Sequence, residues 1–386
     1  MNAPPNSPTR KRRVVAAVRR LVLCLAVVAA TSGCSLLPTN APPADPNAPS
    51  WLRRLNLFDD ASIWDGFFTP GDGDETSRLV LLERHQPGKI PVVLVHGLVS
   101  GPTTWQDLLA RLNDDPEVRG RFEFWAFRYP TGESYLIAAA DLRRELRQKL
   151  ERLDPDGRDP ALRNIVLVGH SMGGIVSKLQ VTRSDGVLWS GVSKRPFAEL
   201  QADEPTRDKI RGLFFFEPLP AVQRVVFIAT PHRGSKLTES FVGKLARQLV
   251  IFPAMLQAGY RELLQANSDA LLPTNSMTVP TSVDHLSPDS PVLQATNRLP
   301  FADGVRRHSI IGTAVKLPNG RVLDGVVTLD SARLPNGESE LLVPATHTEI
   351  HRDRRTFDEV RRILLQHAGS VDPSNRHSAN AVRTMN

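Results

Sequence analysis

The sequence predicts an α/β architecture: a mostly parallel sheet with helices packed on both faces. Three observations predict it. Short apolar runs at Ile90–Val95, 122–127, 165–168, 225–229, 309–312 and 340–343 alternate with helical stretches. That alternation builds parallel strands joined by crossover helices. Next, His96, Ser171, His232, Asp324 and His347 all fall just after a predicted strand. Open α/β sheets gather their functional loops at those carboxyl ends. Finally, residues 164–174, NIVLVGHSMGG, read as a buried strand, a tight turn and a helix.

Composition narrows the classes. A chain of 386 residues can hold one large α/β domain with insertions. Its 41% hydrophobic and 23% charged content is ordinary for a globular protein. The formal charge of +7 suggests nucleic acid or an anionic membrane until it is located. Arg10, Lys11, Arg12, Arg13, Arg19 and Arg20 supply six of those charges, within residues 1–33, which contain no acid. Without that segment about +1 remains, so no nucleic-acid partner is expected. Both cysteines, Cys24 and Cys34, precede the folded part, which must rely on its core without an internal disulfide.

The N-terminus reads as a signal. Residues 10–20 are basic, 21–30 are an apolar run of ten, and Thr31-Ser32-Gly33-Cys34 follows. Ten residues are too few to span a bilayer, and the three parts together make a signal peptide over 1–33. The small-small-Cys ending resembles a bacterial lipobox, which implies lipid attachment at Cys34. Thr31 departs from the usual leucine there. Secretion with a free Cys34, an uncleaved anchor and a twin-arginine signal through Arg19-Arg20 are the alternatives. Residues 34–50 carry five prolines and read as a tether holding the domain off a membrane. The expected location is the bacterial cell envelope, with the protein lipid-anchored.

The remaining elements follow in order. Residues 51–88 include Trp51, Leu55, Trp64 and Phe68 and are too apolar for a linker. They are expected to pack on the domain, with a first strand at 79–82. The strand Ile90–Val95 leads into His96-Gly97-Leu98, and 122–127 leads into Tyr129-Pro130-Thr131-Gly132. Residues 134–153 carry a helical stripe of Leu136, Ala139, Leu142, Leu146 and Leu150. Mixed polarity marks 183–222 as an insertion. Residues 225–229 lead into Thr230-Pro231-His232-Arg233-Gly234-Ser235. No clear strand occurs over 236–300, where an amphipathic helix at 241–264 is interrupted by Pro253; this reads as a lid or cap. The sheet resumes at 309–312, and the last helix covers 357–367. The domain is expected to span 89–369, with 370–386 as a disordered tail.

The chemistry centres on Gly169-His170-Ser171-Met172-Gly173, a G-x-S-x-G between a strand and a helix. Flanking glycines permit a tight reversal that exposes the Ser171 hydroxyl. The bland alternative is a strand–helix turn with an idle serine. A serine nucleophile needs a base, an orienting acid and an oxyanion hole. His347, between the last strand and last helix, is the base, with His351 as rival. His347-Thr348-Glu349-Ile350-His351 invites a metal reading, but the zinc-helix motif needs glutamate directly after the first histidine, so no metal is expected. Asp324 in Asp-Gly-Val-Val is the acid, with Asp303 and Asp330 as rivals; it also reads as a plain turn residue before Gly325. The backbone N–H groups of Met172 and Leu98 are the expected oxyanion donors. His170 and His96 are read as packing and loop-organising residues, and His232 likewise. His85, His285, His308, His367 and His377 have no supporting constellation.

VLVHGL, GHSMGG, ATPHRGS, DGVV and the late His347 occur in the order found in the α/β-hydrolase superfamily, and over 89–369 the chain resembles its lipase- and esterase-like members. Within that group it looks like bacterial membrane-associated hydrolases with a YPTG segment and, after DGVV, a SAxL segment, here Ser331-Ala332-Arg333-Leu334. The resemblance implies an α/β-hydrolase fold, Ser171, Asp324 and His347 as triad, and no cofactor. Leu323 before Asp324, Thr328-Leu329 after DGVV and Thr348 after the base depart from the common pattern and bear on substrate range. The expected activity is hydrolysis of carboxylic, lipid-like esters. Acyl transfer by the same site, and a catalytically silent anchored binding protein, are the alternatives.

Overall fold

The computed structural model describes residues 49–55, 77–235, 254–271 and 279–371. Cys34, the signal, tether residues 34–48, residues 56–76 of the expected packing extension with Trp64 and Phe68, residues 236–253 and 272–278 of the expected lid, His377 and the tail beyond Val371 lie outside the described residues.

Seven strands form the main sheet: β1 (Arg78–Leu81), β2 (Ile90–Val95), β3 (Phe122–Arg128), β4 (Ile165–His170), β5 (Val222–Ile228), β6 (Arg306–Gly312) and, last in the chain, β9 (Ser339–Val343). A small antiparallel pair, β7 (Val315–Lys316) and β8 (Val322–Leu323), sits between the last two. The sheet order is β1-β3-β2-β4-β5-β6-β9. Only β1 runs antiparallel, against β3; every other pairing is parallel. The mostly parallel α/β expectation therefore holds.

Side-chain alternation assigns the two faces. Val93, Val95, Leu167, Val225 and Phe227 pack on one side, with the helix Tyr135–Leu153. Val92, Leu94, Val166, Val168, Val226 and Ile228 pack on the other, with the helices Gln106–Asp114 and Arg354–Val371. The central strands are buried on both faces, which is why they read as unbroken apolar runs. Each such Val, Leu or Ile contributes roughly 1.5–3 kcal/mol on burial. The stripe read in 134–153 becomes the helix Tyr135–Leu153, with Ser134 as N-cap accepting from Leu136 N–H at 3.2 Å.

The first strand expected at 79–82 is β1, which pairs with β3 from Arg78↔Arg128 to Leu81↔Trp125, so the packing extension expected over 51–88 supplies an edge strand of the sheet. Its Trp51 and Leu55 are buried in the second core cluster. The 236–300 stretch is not uniform. The helix Ala254–Ala266 begins directly after Pro253, whereas the helix Pro291–Arg298 buries Val292, Leu293 and Ala295 in the main core. Absence of strands marked the stretch as one unit, but a core helix carries no strand signal either. The last helix runs Arg354–Val371, beyond its apolar stripe at both ends.

The expected insertion holds the helix Glu204–Phe214, none of whose residues is fully buried. It is tied to the stretch after Ala254–Ala266. The buried Asn267 donates to Gln201 O and accepts from Gln201 N, both at 2.8 Å, and Lys194 N donates to Ala270 O at 2.7 Å.

Candidate active site

β4 ends at His170, and the chain turns at Ser171 with φ 54° and ψ −124°. Non-glycine residues rarely adopt a left-handed φ, and when they do the surrounding structure must hold them there. The grip is visible. Ser171 N–H donates to Ile228 O at 2.8 Å, and the helix Met172–Lys178 starts at the next residue. A Cβ on Gly169 would sit 2.5 Å from Gly173 O, and one on Gly173 would collide with the carbonyl oxygens of Val95 and His96. The two glycines of G-x-S-x-G are thus demanded by backbone approaching backbone, which is what lifts the serine to the apex.

His347 stands in the loop after β9, and Asp324 in the loop after β8. His347 Nε2 lies 2.9 Å from Ser171 Oγ, and Nδ1 lies 2.7 Å from Asp324 Oδ2. The carboxylate only accepts, so Nδ1 carries the hydrogen and Nε2 is left to accept from the serine hydroxyl. Asp324 Oδ1 accepts from Val326 N–H at 2.8 Å and Val327 N–H at 2.7 Å. Gly325, at φ 102°, makes that turn possible. The structure brings the three residues together and leaves the rivals out. His351 Nε2 pairs with Thr104 Oγ1 at 3.0 Å. Asp330 is exposed and its carbonyl accepts from Arg233, while Asp303 is exposed beyond Phe301. Such a chain of carboxylate, imidazole and hydroxyl can draw a proton from the serine while its oxygen attacks a carbonyl.

The loop after β2 lies against the serine: a Cβ on Gly97 would be 3.0 Å from Ser171 Cβ. Leu98 and Met172, the expected oxyanion donors, therefore flank Ser171 from that loop and from the helix start. Val99, next along, has φ 50°, a strained conformation for a β-branched residue. Its N–H donates to Thr131 Oγ1 at 3.2 Å. Thr131 O accepts from Ser282 Oγ, and Tyr129 O–H donates to His96 O at 2.7 Å. The YPTG segment is thus a brace for this loop, a role the sequence pattern did not reveal. Ser331 of the SAxL segment is a second brace. Its hydroxyl donates to Gly234 O at 2.6 Å and accepts from Arg233 N–H at 3.2 Å, joining the loops after β5 and β8.

Most of the remaining histidines are buried, while His85 and His285 are half-buried. His96 stacks on Tyr129 at 4.4 Å, and burial draws its pKa down to about 4. His232 packs edge-on to Phe227, its pKa held well below the ordinary value by burial and then by nearby Lys178 and Arg233. His285 pairs with Ser134 Oγ at 2.7 Å, and His85 with Glu123 at 2.9 Å. His308 and His367, for which the sequence offered no constellation, do belong to one. Arg224, fully buried, donates through Nε to His367 Nδ1 at 3.2 Å and through Nη1 to His308 Nε2 at 2.5 Å. Their spacing along the chain gives no hint of this, because β5, β6 and the last helix converge only in the fold. Among the described residues, no group of three or more His, Cys, Asp or Glu side chains could hold a metal ion.

A seven-stranded sheet of this order, with a serine elbow after β4 and a histidine after the last strand, defines an α/β-hydrolase fold. Residues 92–360 match the Alpha/beta hydrolase family, and the chain belongs to it. Among solved structures, the mature lipase BlEst2 of Bacillus licheniformis is similar at 16% identity and a TM-score of 0.44, over 75% of this chain and 98% of that one. Staphylococcus hyicus lipase is similar at 12% identity and 0.47, over 75% and 99%. A carboxylesterase structure from Nitrososphaera gargenis is similar at 14% identity and 0.39, over 78% and 98%. No curated protein matches.

Proposed function

We propose that the protein is a serine hydrolase of carboxylic esters with an apolar, lipid-like acyl part. The observation that carries this reading is the hydrogen-bonded chain Asp324–His347–Ser171, ending on a serine at a strained turn. Ser171 Oγ attacks the ester carbonyl as its proton passes to His347 Nε2. The carbonyl oxygen takes the negative charge, facing the N–H groups of Leu98 and Met172. The C–O bond to the alcohol breaks, and His347 gives the proton to the leaving oxygen. Water then attacks the acyl-serine, its proton again taken by His347, and the acid leaves with Ser171 restored. Asp324 holds the ring in the accepting tautomer and offsets its transient positive charge.

Membership of the Alpha/beta hydrolase family supports hydrolysis. The apolar acyl part is supported by the helix Ala254–Ala266, in the stretch expected as a lid, which leaves Leu256 46% exposed. The test is a chain-length series of p-nitrophenyl esters with wild type and Ser171→Ala. Activity rising from short to medium chains and lost in Ser171→Ala is the expected result; equal rates for the two proteins would remove the reading.

Attachment through a lipidated Cys34, placing the enzyme at an envelope membrane, is part of the same proposal. It is supported by the basic region, apolar run and Thr31-Ser32-Gly33-Cys34 ending of the sequence. Cys34→Ser should shift the protein from the membrane to the soluble fraction on cell fractionation. An unchanged membrane fraction would argue for an uncleaved anchor.

A further inference from the structure

We infer that His170, the residue before the serine, is a positioning residue that holds the main chain of His347 and so sets the distance between base and nucleophile. The inference rests on the serine-hydrolase reading above.

Four hydrogen bonds hold His347, and they come as two pairs. Asp324 supplies the first pair: its backbone O accepts from His347 N–H at 2.9 Å, and its carboxylate accepts from Nδ1–H at 2.7 Å. The dipeptide His170-Ser171 supplies the second. His170 Nε2 lies 2.9 Å from His347 O, and Ser171 Oγ lies 2.9 Å from His347 Nε2. A carbonyl oxygen only accepts, so His170 Nε2 carries the hydrogen and donates. His347 is therefore fixed at its N–H, its carbonyl and both ring nitrogens, each end by one short piece of chain.

The second pair acts as a gauge. His170 and Ser171 are consecutive, and Ser171 is locked at its left-handed φ by the backbone on both sides. Fixing the His347 carbonyl to His170 thus fixes the ring relative to the serine oxygen through one peptide unit. The other hydrogen bond from His347 to this dipeptide is the reacting one, which must break and reform in each turnover. His170 is suited to the task. It is 6% exposed, its ring lies 5.0 Å from that of His347 and 5.1 Å from that of His351, and Trp105 meets it edge-on at 6.5 Å. Burial, followed by the charges that His347 and His351 can carry, keeps its pKa well below the ordinary value. The ring stays neutral and keeps its donor while His347 becomes an imidazolium.

The test compares three substitutions by steady-state kinetics on a short p-nitrophenyl ester, with Ser171→Ala alongside. A misplacement of about 1 Å can cost on the order of a hundredfold in rate. His170→Phe keeps the bulk and loses the donor; kcat should fall about 10- to 100-fold with KM within twofold. His170→Gln places an amide N–H where Nε2 was and should keep kcat within about fivefold. His170→Asn is also an amide but is one methylene too short, and should resemble His170→Phe. A residue that only fills space would not separate Gln from Asn, so that pair decides the matter even if His170→Phe does not fold. Equal kcat for Gln and Asn, or a loss carried by KM alone, would overturn the inference. Wild-type activity in Ser171→Ala would instead overturn the hydrolase reading, and this inference with it.

Discussion

Asp324→Asn is the substitution whose outcome the geometry constrains most tightly. Asp324 Oδ1 accepts two backbone N–H groups, at 2.8 and 2.7 Å, while Oδ2 faces His347 Nδ1 at 2.7 Å. An asparagine has a single acceptor oxygen to place. If its NH2 took the Oδ1 position, it would confront two donors in a site where the side chain is 2% exposed. A buried polar group left unpaired costs about 1–3 kcal/mol, and two are at stake. The amide oxygen therefore stays at Oδ1, and the NH2 turns to His347. Nδ1 must then accept, so the ring hydrogen moves to Nε2 and points at Ser171 Oγ. The serine has lost the atom that takes its proton, although no backbone has moved. The wrong tautomer is expected to lower kcat about 10⁴-fold, or about 5.5 kcal/mol, with KM nearly unchanged. The assay is ester hydrolysis by Asp324→Asn, with Asp303→Asn and Asp330→Asn as controls that should stay near wild type. Circular dichroism would verify the fold. A kcat within tenfold of wild type in folded Asp324→Asn would refute the tautomer argument, and a slow Asp303 or Asp330 variant would move the acid.

Three further outcomes are expected. Thr131→Val removes the acceptor that holds Val99 N–H beside the strained loop; kcat should fall about 10- to 100-fold, short of the full loss of an oxyanion donor, while Thr131→Ser should stay near wild type, and equal behaviour of the two would reject the brace. His308 and His367, both accepting from Arg224, have folded pKa values drawn from 6.5 to about 4, chiefly by burial. The unfolded chain then binds protons that the native state refuses, so their contribution to stability is present above pH 6.5 and lost as pH falls towards 4. Thermal unfolding followed by circular dichroism should show Tm falling across that window, less steeply in His308→Gln/His367→Gln; identical slopes would count against the cluster. Lys178 is buried at the end of the helix Met172–Lys178, with Nζ donating to Asn297 Oδ1 at 3.0 Å and its pKa pulled to about 7 by burial. Its folded value lies below its unfolded 10.5, so the penalty for its charge is full below about pH 7 and is relieved as pH rises towards 10.5. Lys178→Met should raise Tm by a few degrees at pH 7 and by less near pH 10; a gain independent of pH would point to packing instead.

Much of this protein was legible as a sequence because the relevant signals are local. Buried parallel strands must be apolar on both faces, so β2, β4 and β5 announce themselves as unbroken runs. A strand that turns sharply into a helix needs glycines wherever backbones approach, so Gly169 and Gly173 frame Ser171. Loops at the carboxyl ends of parallel strands converge, so the order of Ser171, Asp324 and His347 along the chain already located them at one edge of the sheet. The tertiary structure decided what depends on distance between segments far apart in the chain. It placed His347 within hydrogen-bond reach of Ser171 and Asp324 within reach of His347, while His351 pairs with Thr104 and Asp303 and Asp330 stay exposed. It gave the strand expected at 79–82 its antiparallel partner β3 and made 291–298 a core helix, since neither a short edge strand nor a short amphipathic helix carries a period strong enough to declare its partner. It also gave His170, Thr131 and Arg224 their hydrogen-bond partners. A buried polar side chain looks the same in a sequence whatever it bonds to. Its role is set by the one donor or acceptor that folding brings within 3 Å or so, and for these residues those partners lie elsewhere in the chain.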